Sequence, residues 1–164
     1  MRCLLAVPLA LVLGLGISGC VEPVGGIWVD EIEELTIDHY DGWTAGSKRW
    51  RVDLEEKKLE YYSAALDDDP FPYPDKTIDL NNVEKFQSAI GSTRLSWWEE
   101  QYNPAQPVMD CGGWKLTVEY ADRGQQVVRA DCPSAMNKFP DDYEKVRQAL
   151  IDLTTIDLFA YPKL

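Results

Sequence analysis

Two stretches of this chain alternate apolar and polar side chains with a strict period of two. In the first, Trp50, Val52 and Leu54 alternate with Arg49, Arg51, Asp53 and Glu55; in the second, Trp114, Leu116, Val118 and Tyr120 alternate with Lys115, Thr117 and Glu119. Such spacing puts every apolar residue on one face of a strand and every polar one on the other. A helix cannot use it. Each stretch is followed by a turn signal and a return arm: Glu56-Lys57 leads into Leu59–Ala64, and Asp122-Arg123-Gly124 leads into a strand running to about Asp131. Two half-buried antiparallel hairpins are therefore predicted.

Each hairpin precedes a helical pattern. Val83, Phe86 and Ile90 share one helix face, with Asp79, Asn81 or Asn82 available as the cap and Gly91 as the stop. Tyr143, Val146, Leu150 and Leu153 trace a second stripe, with Pro140 suited to the first turn. Leu95–Tyr102 reads as a further helical stretch bounded by Pro104 and Pro107. Ile32, Leu35 and Ile37 mark an extra strand within 31–40. The run Asp67–Asp75 holds three prolines and reads as a surface loop. The expected fold is α+β: an antiparallel sheet of about five strands with two helices on one face. The resemblance of Trp50–Glu55 to Trp114–Glu119 suggests two ββα units. A single domain over residues 31–164 has ample length for one core.

The N-terminus sets the address. Arg2 is followed by an uncharged, mostly apolar run to Gly19 that ends in small residues, as in a secretory signal peptide. That run is shorter than the ~20 residues needed to span a bilayer comfortably. Ile17-Ser18-Gly19-Cys20 resembles the lipobox of bacterial lipoproteins. The resemblance implies cleavage before Cys20, diacylglycerol on its sulfur and a third acyl chain on its amine, typically palmitate. Stable anchoring takes about two chains, so three imply lasting attachment. Val21, in place of an aspartate, implies the outer membrane and a domain facing the periplasm. Residues 20–30 then form a lipidated tether spanning at most ~35 Å.

In that oxidising compartment Cys111 and Cys132 are the cysteines left after the leader and the lipidated residue are set aside. They sit at the open end of the second hairpin and predict a disulfide. Gly112-Gly113-Trp114-x-Leu116-x-x-x-Tyr120-x-Asp122 is similar to a pattern in uncharacterised small bacterial proteins, many secreted or lipidated. It implies no activity.

The net charge is −12, with 28 acidic residues. That disfavours nucleic acid, which needs clustered Lys and Arg. An acidic surface can instead steer a basic protein partner. Among candidate contact residues, adjacent Trp97 and Trp98 cannot both face a core, so one should meet a groove or a surface contact. Glu99 and Glu100 beside them would suit a carboxylate-based hydrolase of envelope polymers. The single histidine, His39, flanked by Asp38 and Asp41, is a candidate small-ligand or metal contact. No Gly-x-Ser-x-Gly, P-loop, dinucleotide or zinc motif occurs, so no catalytic residue, metal ligand or cofactor is assigned. The sequence favours a non-enzymatic protein-binding module, either an envelope accessory or an inhibitor or immunity-type protein.

Overall fold

The computed structural model of the chain describes residues 32–40, 46–65, 73–109, 111–121, 124–136 and 138–160. The expected leader, Cys20, the tether, the acidic start of the proline-rich loop and the turn centre Asp122-Arg123 lie outside the described residues.

The strands are β1 (Ile32–Tyr40), β2 (Gly46–Asp53), β3 (Lys58–Ala65), β4 (Lys76–Asp79), β5 (Gln101–Tyr102), β6 (Gly113–Tyr120) and β7 (Gly124–Asp131); the helices are α1 (Val83–Gly91) and α2 (Tyr143–Thr154). They form an α+β domain around one seven-stranded sheet of order β4-β3-β2-β1-β6-β7-β5. All neighbours are antiparallel except β5, which runs parallel to β7. The expectation of about five strands is corrected to seven. The additions β4 and β5 are four and two residues long, too short to show a period.

Leu95–Tyr102 is not a helix. A single 3₁₀ turn over Leu95–Trp97 gives way to extended backbone at Trp98. So short a run before Pro104 does not recover the cost of nucleating a helix, whereas the edge of β7 offers hydrogen bonds at once. Pro140 lies ahead of α2 rather than in its first turn, and its carbonyl accepts from the Tyr143 N–H at 3.1 Å. Asn82 holds the N-cap position of α1 in a left-handed conformation but makes no side-chain cap bond.

The register explains the core. Leu35 sits between Val52 and Val118, and Ile37 between Trp50 and Leu116. Leu59 lies beside Val52, and Val128 beside Leu116. All share one face and one buried cluster with Val83, Phe86 and Ile90 of α1 and Val146, Leu150 and Leu153 of α2. Each such side chain contributes ~1.5–3 kcal/mol by leaving water. Leu158 and Phe159, just beyond α2, close the cluster, with Phe159 set edge-on to Trp114 at 4.9 Å.

The opposite face is polar and self-paired. Arg51 donates to Glu34 at 2.6 Å, Glu60 at 3.0 Å and Asp53 at 3.1 Å. Asp38 accepts from Arg49 at 2.5 Å and Lys115 at 2.6 Å. Burial alone would raise the Asp38 pKa, but these two hydrogen bonds outweigh it and hold the carboxyl below the ordinary range. Tyr62 donates to Glu60, and burial followed by that carboxylate pushes its hydroxyl up to about 12. These pairs are half-buried at the sheet surface, and solvent screening keeps each contribution modest, on the order of 1 kcal/mol. Their main effect is to leave few unmatched charges on this face.

Gly113 has a specific use. The Tyr40 ring crosses from β1 over β6, and its hydroxyl donates to Asp131 on β7. A Cβ on Gly113 would fall on that ring and on the Ala130 carbonyl oxygen. The glycine allows the close approach.

Candidate functional site

The described residues bring the chemically interesting side chains to the β7 side of the sheet, where the chain from Arg94 to Met109 wraps the edge. The adjacent tryptophans separate as expected. Trp98 is 6 % exposed and Trp97 is 67 % exposed. The Trp98 indole N–H donates to the Asp141 carbonyl at 2.8 Å, and its ring lies 6.1 Å from that of Tyr143. Trp98 thus pins the edge segment to the start of α2. Gln126 on β7 reinforces it, donating to the Leu95 and Trp98 carbonyls at 3.1 and 3.3 Å.

Trp97, on a backbone anchored by these bonds on either side, stands in water. It borders a recess of about 120 Å³ with Arg94, Trp98, Tyr102, Lys138 and Phe139. The Glu99 N–H donates to the Tyr102 hydroxyl at 2.9 Å, closing the turn beneath. Further along the same segment, Val108 and Met109 are 45 % and 85 % exposed. Val108 and Met109 adjoin one another, and contiguous exposed apolar side chains mark contact surfaces better than scattered ones do.

Glu99 and Glu100 do not share a cleft. Glu99 lines the recess beside Trp97, whereas Glu100 lines another, beside Gln125 and Val127. Extended backbone turns neighbouring side chains to opposite sides. A pair of acids flanking one scissile bond is therefore not formed by these two.

His39 belongs to the core. It is 2 % exposed, and its Nε2 lies 2.6 Å from the Leu158 carbonyl. Burial lowers its pKa below the ordinary value, opposed by the Leu158 carbonyl and then by Asp38. This places it beneath the sheet as a clasp on the segment after α2, away from the Trp97 surface. Among the described residues, no group of three or more His, Cys, Asp or Glu side chains is arranged to hold a metal ion.

Cys111 and Cys132 are bridged, with Cα atoms 5.3 Å apart, inside the range a disulfide spans. The bridge joins the residue two before β6 to the one after β7. It therefore fixes the base of the loop that carries Val108 and Met109.

Arg94, Tyr102, Lys138 and Phe139 were not singled out by sequence. Lys138 and Phe139 join the site across some forty residues of chain, which no local pattern discloses. Val108-Met109 did carry a signal: two apolar residues between Pro107 and Asp110, where a loop should be polar. Among the described residues, no helix is long and apolar enough to cross a membrane. No protein-family model, curated protein or solved structure matches the chain.

Proposed function

We propose that this chain is an envelope lipoprotein, held to the outer membrane by acyl chains on Cys20, whose domain binds another protein through the Trp97 surface. The observation that carries the binding reading is the split tryptophan pair. Trp98 is buried and hydrogen-bonded, so it anchors the backbone from which Trp97 projects into solvent, 67 % exposed. An anchored backbone loses little conformational freedom on binding, and tryptophan is among the residues most enriched at energetic centres of interfaces. Exposed Met109 adds an adaptable apolar contact on the same segment. The net charge of −12 favours a basic partner, recruited faster at low salt.

A small-ligand reading is weaker. The recess beside Trp97 holds about 120 Å³, under the ~300–1,000 Å³ of ordinary ligand pockets, and the larger one on the other side of Trp98, of about 350 Å³, has a mostly polar lining where such pockets are mostly apolar. The hydrolase reading lacks a shared cleft for Glu99 and Glu100. Whether the partner is an assembly factor or a toxin neutralised by an immunity-type protein follows from its identity.

The test is a photo-crosslinker in place of Trp97 in the full chain, irradiated in intact cells. A single discrete protein adduct, lost when Met109→Ser is added, is the expected result. A smear or no adduct refutes the binding reading. Metabolic labelling with palmitate tests the anchor separately: label on the native chain and none on Cys20→Ser is expected. An unlabelled native chain removes the membrane placement.

A further inference from the structure

We propose that the partner is received as an extended, basic segment that adds a strand to the uncovered edge of β7. This rests on the reading of the domain as a protein-binding module and names how the partner docks.

The argument begins with the ladder. In an antiparallel pair, alternate residues turn both N–H and C=O toward the same neighbour. The Cys132 N–H bonds the Gly112 carbonyl on the β6 side, and the Arg129 N–H bonds the Glu100 carbonyl on the other. By alternation, Gln125 and Val127 turn their backbone groups away from β6. β5 reaches only Arg129 and Ala130. Among the described residues, nothing takes up the outward groups of Gln125 and Val127.

The reason is local. Gln126 draws the Leu95–Trp98 turn under the helix side of the sheet, and the segment regains the plane of the sheet only at Glu100. A recess of about 350 Å³ opens where a longer β5 would have run, lined by Ser96, Trp98, Glu100, Gln125 and Val127 among others. Trp98 lines both this recess and the smaller one beside Trp97. A strand seated here would be continuous with the Trp97 surface.

The other edge of the sheet is treated differently. Where β3 outruns β4, both the N–H and the hydroxyl of Ser63 donate to the Asp75 carboxylate at 2.6 Å. Exposed Lys76 and Asp79 begin and end β4, and Pro74 precedes it. These are devices that discourage strand addition. The β7 edge has none of them over Gly124–Val128, and free edges of this kind accept extended peptides through main-chain bonds.

Charge selects the occupant. Among the described residues Glu100 is the one charged side chain lining the recess, Glu119 lies directly across from Gln125 on β6, and Arg129 stands further along β7, where β5 already covers the edge. With a net charge of −12, a second copy of the chain would be repelled. A partner strand bearing lysine or arginine fits both acids.

Backbone amide exchange on the full chain reads this directly. The probe is a short peptide alternating threonine and lysine, with its threonine–glutamate counterpart as control. The lysine peptide should slow exchange at Gln125 and Val127 by at least about tenfold, and the glutamate peptide should not. Val127→Pro removes only an outward-facing donor, which edge strands tolerate, and should abolish that protection. Unchanged exchange with the lysine peptide, or equal protection by both peptides, overturns the proposal. So does protection already present without peptide, whether independent of concentration (the chain's own residues cover the edge) or rising with it (a second copy does). An adduct at position 97 with no protection at Gln125 and Val127 leaves the binding module standing and removes only the strand addition.

Discussion

Replacing Cys111 and Cys132 together by alanine should cost about 3 kcal/mol of stability. The figure follows from the chain closed by the bridge. With a sequence separation of 21, the unfolded chain gains on the order of 11 cal/mol/K when the loop opens, or ~3.3 kcal/mol at room temperature. The Cα separation of 5.3 Å lies within the ordinary disulfide range, so native geometry need not give way to form the bond. A domain of this size has a total stability of ~5–15 kcal/mol, so the loss is a large fraction. In a thermal scan it corresponds to roughly 10 °C. The assay is equilibrium urea unfolding followed by tryptophan fluorescence, since Trp50, Trp98 and Trp114 are all buried. The m-value should rise in the variant, because an unbridged unfolded chain exposes more surface. Reduction of the unaltered protein should give the same loss. A change below ~1 kcal/mol with an unaltered m-value refutes the reasoning, because loop closure would then not be what the bridge contributes.

His39 makes stability depend on pH. Its folded pKa lies below its ordinary 6.5 because it is buried. The unfolded chain therefore binds the proton first, and the contribution is complete above pH 6.5 and is lost as pH falls through the folded pKa. The slope is at most ~1.4 kcal/mol per pH unit for one proton. His39→Gln, whose amide can donate to the Leu158 carbonyl, should flatten urea midpoints between pH 6.5 and 5; a profile as steep as the parent's refutes the assignment. Gly113→Ala should cost ~1–3 kcal/mol through overpacking. Tyr40→Ala in the same chain should restore part of that loss but not all, because the Ala130 carbonyl remains in the way. An additive pair of urea midpoints would show that the ring is not an obstacle.

Long elements were legible because their periodicity is repeated several times over. Trp50–Leu54 and Trp114–Tyr120 each bury one face and expose the other as the alternation requires, and the stripes of α1 and α2 meet the core as read. β4 and β5 were not legible. Two to four residues carry no period, and their pairing is decided by the neighbouring strand rather than by their own side chains. His39 shows a signal passed over: it continues the spacing of Leu35 and Ile37 by two residues and so lands on the core face with them. The split between Trp97 and Trp98 was predictable, since neighbours cannot both face inward, but which one turns in was not. That choice depends on the Asp141 carbonyl, brought there by the packing of α2.

β1 is the first described strand, next in sequence to the expected tether, and also the middle of the sheet, paired along its length with β2 on one side and β6 on the other. A force drawn through the N-terminal end at Ile32 therefore cannot peel an outer strand one bond at a time. Where the pull runs along the strands it loads β1 against both neighbours at once, so the rungs of two ladders share it. If the domain is gripped at the edge over Gln125 and Val127 while its N-terminal end is held at a membrane, both holds lie at one end of the sheet, since Ile32 pairs with Tyr120 and Tyr120 with Gly124, and tension crosses the ladders from β1 through β6 to β7 in series. The helices, which lie outside that path, bear little of the strain.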